Sequence, residues 1–191
     1  MTDLQSHLRG LWLPLITPFL DGELDDTSLR RLVRHYAALP VSGIILAATT
    51  GEGLVLAPEE TERLVAIVLD EVGNSHKAFP VCLGLSGSDT RAILETLHRT
   101  AAWPIDGYLI SCPYYSRPTQ TGMTRHFIAL ADHAAHPVLI YNIPYRTGVN
   151  LGNEAMLQLA EHPTSSASRI AVRSAPNPLS CCAIDRPGLR C

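Results

Sequence analysis

A short apolar run followed by an amphipathic helical pattern recurs five times between Gly10 and Glu161, and that alternation leaves few folds open to this chain. The apolar runs are Gly10–Phe19, Gly43–Thr49, Phe79–Leu85, Gly107–Cys112 and Pro137–Ile143. The helical patterns between and after them are Asp25–Leu39, Pro58–Val72, Asp89–Ala102, Gly122–Ala134 and Asn153–Glu161. In the first helix Leu29, Leu32, Val33, Tyr36 and Ala37 share a stripe, and Asp25 or Asp26 suits the N-cap. In the second, Leu64, Val65, Val68 and Leu69 share a stripe, with Pro58, Glu59 and Glu60 in the first turn. Each step takes about 30 residues, the length of a βαβ unit.

Successive βα units with no intervening antiparallel strand predict a parallel sheet. Doubly wound sheets and TIM barrels both satisfy the pattern. No GxGxxG or GxxxxGK[ST] loop follows any run, which argues against nucleotide binding. A closed barrel takes eight units and about 250 residues. An incomplete TIM (β/α)8 barrel of about five units over residues 1–163 thus stands beside a doubly wound sheet, and the family resemblance below selects the barrel.

Charge narrows the function. The net charge is −3 and the pI near 6.2, so no basic field exists to recruit nucleic acid or an anionic membrane. The 46% apolar and 17% charged composition fits a globular chain that acts on small molecules. No apolar run approaches the roughly 20 residues of a membrane span, and residues 1–10 lack a signal layout, so a cytoplasmic location is expected. Cys82 and Cys112 sit inside apolar runs as small hydrophobes, while Cys181, Cys182 and Cys191 fall near the end. No cysteine or histidine spacing suits zinc, and no metal or cofactor is expected.

In a barrel, chemistry gathers on the loops after the strands. Three of these loops stand out. The first, Ala48-Thr49-Thr50-Gly51-Glu52-Gly53, offers two hydroxyls and consecutive backbone N–H groups, either as a cradle for a carboxylate or simply as a strand cap. The second is Cys112-Pro113-Tyr114-Tyr115-Ser116-Arg117-Pro118. The third begins at Tyr141, a proton donor and acceptor or else a core tyrosine. It ends on Arg146-Thr147-Gly148, where the guanidinium could fork onto a carboxylate or lie in solvent. Together these groups suggest a site for a small oxo-acid.

The segments Leu13–Phe19 (LPLITPF), Thr49-Thr50-Gly51-Glu52, Pro113-Tyr114-Tyr115 and Tyr141-Asn142-Ile143-Pro144 with Arg146-Thr147-Gly148 resemble the dihydrodipicolinate synthase / N-acetylneuraminate lyase family. The likeness runs from about Gly10 to Pro163, with the Thr-Thr pair on the synthase side. It implies a pyruvate-dependent class I aldolase on a TIM barrel. By the same resemblance, Thr49 would relay protons between two tyrosines and Thr50 would hold the pyruvate carboxylate with its neighbour's N–H. Tyr141 would shuttle protons during Schiff-base formation, and Tyr115 would complete the relay from a partner subunit. Arg146 would bind the carboxylate of aspartate semialdehyde, en route to diaminopimelate and lysine, in a homotetramer. Tyr145 stands where the family often has a small residue, so the second substrate could differ. Gly53, Pro58 and Thr61 replace the polar or histidine groups of lysine-inhibited members, so feedback by lysine is not expected. A non-catalytic paralogue that binds an oxo-acid, and a sugar-acid aldolase or dehydratase, are the competing readings.

One residue is missing. Imine formation needs an amine nucleophile, and arginine stays protonated. The only lysine in the sequence is Lys77, ahead of the third apolar run and away from these loops. The resemblance places the nucleophile just after Pro163, in a segment like Asn-Ile-Val-Gly-Ile-Lys-Asp. Here the chain reads Thr164-Ser165-Ser166-Ala167-Ser168-Arg169-Ile170-Ala171. Codons AAC-ATC-GTC-GGC-ATC-AAG-GAT-TGC without their first base read ACA-TCG-TCG-GCA-TCA-AGG-ATT-GC, which spells those residues. A shifted frame is therefore expected from codon 164, with the lysine codon lying under Ser168 and Arg169. Residues 164–191 hold five serines, three prolines and no period of 2 or 3.6, and are expected to form a disordered tail on a poorly folded, inactive product.

Overall fold

The computed structural model describes residues 10–75, 80–161, 170–174 and 181–182. Lys77 and the rest of the 164–191 stretch lie outside the described residues. The chain forms two compact units, Met1–Gly84 with Pro104–Asp106, and Leu85–Trp103 with Gly107–Cys191.

In the first unit, strands β1 (Leu11–Pro14), β4 (Val41–Leu46) and β5 (Val81–Leu85) run parallel, with Leu13 beside Ile44 and Ile45 beside Cys82. β4 is buried almost throughout, as a strand covered on both faces must be. Gly43 is required there, because the Trp12 ring lies 2.6 Å from where a Cβ would stand. The sequence reading ran β1 on to Phe19. Instead, Asp21 and Gly22 take left-handed φ of 52° and 86° and close a small hairpin, β2 (Phe19–Leu20) with β3 (Glu23–Leu24). Asp-Gly is the turn chemistry such a hairpin needs.

Helix α1 (Asp26–Ala37) begins where its cap dictates: the Asp25 carboxylate accepts from Ser28 N at 3.0 Å. It packs Leu29 and Val33 inward against α2 (Pro58–Gly73). Glu71 of α2 ties the pair together. Its carboxylate takes a two-pronged bond from Arg34, Nε at 2.6 Å and Nη2 at 3.1 Å, and a further bond from Arg30 at 3.3 Å. The Arg34 bond, then the Arg30 bond, hold its carboxyl below the usual range against the opposing pull of burial. That contribution is complete above the free-carboxyl range and is lost as pH falls through the lowered value. Glu71→Gln should remove about 1 kcal/mol, since Arg34, the stronger partner, is largely solvated; the urea midpoint at neutral pH measures it.

In the second unit, β6 (Gly107–Ser111) and β7 (Val138–Asn142) are parallel, with Ser111 beside Tyr141. Helix α3 (Thr90–Thr100) starts after an Asp89 cap and packs on α4 (Gln120–His133), which starts after a Thr119 cap. The short α5 (Pro144–Thr147) precedes α6 (Asn153–Glu161), and α6 also packs on α4. Tyr108, Ile110, Met123, Phe127, Leu130 and Ile140 are fully buried at the centre. The Tyr108 hydroxyl lies 2.8 Å from Thr100 Oγ1 on α3, so the even-numbered residues of β6 face the helices.

Two further strands fall within the stretch read as an off-pattern tail. β8 (Ile170–Ser174) runs parallel to β7, with Val138 beside Ile170, and β9 (Cys181–Cys182) is antiparallel to β8. The segment Ile-Ala-Val is short and β-competent, and the open edge of β7 supplies the ladder that its own period could not announce.

Candidate active site

Thr49 and Thr50 belong to the first unit; Tyr115, Tyr141 and Arg146 belong to the second. β4 ends in a single 3-10 turn, Thr49–Gly51, flanked by left-handed Ala47 (φ 50°) and Glu52 (φ 58°). The turn closes on itself: Gly51 N and Gly53 N donate to Ala48 O at 3.0 and 3.2 Å, and Glu52 N donates to Thr49 O at 3.3 Å. Gly51 N, one of the two N–H groups flanking Thr50, is thus engaged within the turn. The Thr49 and Thr50 side chains are exposed. Thr17, only 5% exposed, donates from Oγ1 to Gly51 O at 2.7 Å and latches the turn to the segment after β1. Sequence reasoning missed Thr17. Gly53 has no freedom to change, because a Cβ there would sit 1.7 Å from Ala47 O.

In the second unit, register and alternation place Tyr141. Tyr108 faces the helices and pairs with Val138, so Leu109, Ser111, Leu139 and Tyr141 face the opposite side of the sheet. Ser111 stands directly beside Tyr141 on that face, 6% exposed, its Oγ without a partner among the described residues. Nothing in the sequence distinguished this serine from its apolar neighbours. Cys112 and Asn142 follow on the helix side, and burial pushes the Cys112 thiol up to about 12, which leaves it inert.

Tyr115 stands apart. It is 94% exposed and its backbone is left-handed at φ 66°, with Arg117 likewise at φ 47°. A tyrosine held in that region is strained by roughly 1–3 kcal/mol, a pattern that clusters at functional loops. The Ser88 hydroxyl donates to Tyr114 O, and Ser116 N donates to the same carbonyl at 2.7 Å, which fixes the turn. Arg117 lies over Gly148, its Nε 3.2 Å from where a Cβ would be, so the loop carrying Tyr115 touches the loop carrying Arg146.

Arg146 ends α5. Its guanidinium lies 5.4 Å from the Tyr145 ring centroid, and Nε donates to Tyr145 Oη at 3.3 Å. The residue that departs from the expected pattern therefore props the arginine. Among the described residues, no group of three or more His, Cys, Asp or Glu side chains could hold a metal, and no helix is long and apolar enough to cross a membrane.

Parallel βα units with their polar loops beyond the strand ends define a partial TIM barrel. Comparison with known proteins agrees. Residues 7–176 match the model of the Dihydrodipicolinate synthetase family, a match that runs on past Pro163. The chain is 38% identical over 166 residues to the 4-hydroxy-tetrahydrodipicolinate synthase of Geotalea daltonii, covering 87% of this chain and 56% of that one. Dihydrodipicolinate synthase from Thermotoga maritima superposes with a TM-score of 0.82 at 30% identity, over 91% of this chain and 57% of that one. The chloride-inhibited enzyme from Acinetobacter baumannii, solved in complex with pyruvate, superposes with a TM-score of 0.81 at 29% identity, over 91% of this chain and 58% of that one. This chain belongs to the dihydrodipicolinate synthetase family, and it spans about half the length of the relatives it matches.

Proposed function

We propose that this chain carries the substrate-binding front half of a pyruvate-dependent, Schiff-base aldolase-type lyase of the 4-hydroxy-tetrahydrodipicolinate synthase kind, and that it cannot form the imine itself. The observation that carries both parts is the placing of Tyr141 at the end of β7 and Arg146 on the turn that follows it, in a sequence whose sole lysine is Lys77. The 38% identity to a named synthase and the likeness to a pyruvate-bound one support the substrate class.

In this reading Thr50 binds the pyruvate carboxylate, and Tyr141, Thr49 and Tyr115 move protons to and from the reacting carbonyl. Arg146 receives the carboxylate of an aldehyde such as aspartate semialdehyde. The exposed, strained Tyr115 suits a group that serves a neighbouring subunit, in keeping with a homo-oligomer. The missing amine is explained by a reading frame shifted at codon 164, either in the gene or in its sequence. Sequencing codons 160–170 tests this directly: an intact open frame with no in-register barrel remainder beside it sinks the explanation.

The expected chemistry is equally direct. Borohydride reduction in the presence of pyruvate should leave the mass of this chain unchanged. A pyruvyl adduct would overturn the assignment of Lys77 as a bystander. Saturable pyruvate binding without an adduct would instead favour a non-catalytic oxo-acid-binding paralogue.

A further inference from the structure

We propose that Asn142, helped by Gln120 of α4, is a positioning residue that holds the loop bearing Arg146 as a preformed carboxylate seat; the carboxylate role itself rests on the reading above.

Asn142 is 1% exposed and its amide is fully employed. Nδ2 donates to Asn150 Oδ1 at 2.9 Å and to Leu151 O at 3.2 Å, while Oδ1 accepts from Leu151 N at 3.1 Å. The side chain thus treats Leu151 as a neighbouring strand would, bonding both its N–H and its C=O. This closes the base of the segment from Ile143 to Gly152. Gln120 grips the same segment from outside: Nε2 donates to Asn150 O and Oε1 accepts from Gly152 N, both at 2.8 Å.

Between base and tip lies Arg146. Its own N–H and that of Thr147 donate to Ile143 O at 3.0 and 3.1 Å, and Gly148 N donates to Pro144 O at 2.8 Å. These bonds make one turn of helix, and a turn of four residues is not stable alone. It persists because the segment's two ends are pinned. A mobile arginine would have to be ordered on each binding event, whereas a pinned backbone leaves only the side chain to settle.

Hydrogen exchange on the chain as it exists tests this without any ligand, so the result stands whether or not the chain binds an oxo-acid. Asn142→Ala should speed exchange of the Arg146, Thr147 and Gly148 amides at least about tenfold, while the Phe127 amide in the core of α4 keeps its wild-type rate. Asn142→Asp, which keeps an acceptor for Leu151 N and loses both donated bonds, should fall between. A purely local role would loosen only Leu151 and Gly152, and that result would overturn the proposal. If Asn142→Ala fails to fold, Gln120→Ala decides, because Gln120 is exposed and contributes little to the core. Wild-type exchange at residues 146–148 in that variant would equally overturn it.

Discussion

Restoring one base ahead of codon 164 is expected to raise pyruvate–aldehyde condensation by at least about 10⁴-fold over the chain as it stands. The size follows from what a covalent nucleophile does. In the proposed reaction the imine is the electron sink for the carbanion, and no hydroxyl, phenol or guanidinium among the five candidate residues substitutes for an amine. Removing a nucleophile from an otherwise intact site typically costs several powers of ten. Restoration also supplies the rest of the barrel, so stability should rise along with activity. The controls separate them. A restored frame whose recovered lysine is changed to alanine should fold like the restored chain and remain inactive, with no borohydride-trapped pyruvate. Recovery of turnover in that control would place the chemistry elsewhere. Testing aspartate semialdehyde against sugar-acid aldehydes in the restored chain then distinguishes the synthase reading from a related aldolase or dehydratase, and Tyr145→Ser reports whether its contact with Arg146 matters to the choice.

The second large effect is expected in acid. His126 on α4 is 5% exposed, its Nδ1 2.9 Å from Thr90 Oγ1 of α3, and its Nε2 is buried without a partner among the described residues. Burial pushes this imidazole down from 6.5 to about 4. Between those values the unfolded chain binds a proton that the folded chain refuses. Stability from this group is therefore complete above pH 6.5, declines as pH falls toward about 4, and is flat below. At 1.36 kcal/mol per unit, the loss is about 3 kcal/mol, or roughly 6–12 °C in melting temperature for a chain of this size. His126→Leu should flatten the pH 4–6.5 limb of a melting series and leave the Glu71 contribution, which titrates in the carboxyl range, in place. An unchanged limb in the leucine variant would assign the acid sensitivity to other groups.

Local chemistry made much of this legible. Asp25 as a cap, Pro58 as a helix start and Asn153–Glu161 as a helix follow from side chains acting within one turn, and the structure places them there. The hairpin at Asp21-Gly22 was legible in principle but was hidden by the apolar run that precedes it. The site is a harder case. Thr49, Thr50, Tyr115, Tyr141 and Arg146 are candidates the sequence offers, because the segments that carry them hold unusual polar and aromatic pairs. Thr17 and Gln120 cannot, because what they do depends on partners far away in sequence; Ser111 takes its place only from the register beside Tyr141, and Asn142 from the way the next segment folds back on it. Thr17 meets Gly51, and Gln120 meets Asn150 and Gly152. β8 is legible for the same reason only in hindsight: its residues take their strand conformation from the edge of β7 rather than from their own pattern.

The left-handed backbone at Tyr115 has a consequence for how fast two chains could join. The turn is held by contacts inside one chain, from Ser88 and Ser116 to Tyr114 O. If Tyr115 serves a second subunit as proposed, that subunit would meet a ring already projected into solvent on a fixed stem. Encounter need not wait for the loop to fold, so association should proceed at the ordinary orientation-limited rate of about 10⁵–10⁷ M⁻¹ s⁻¹. Differences in affinity between variants of this loop should then appear in how long the pair stays together, not in how quickly it forms.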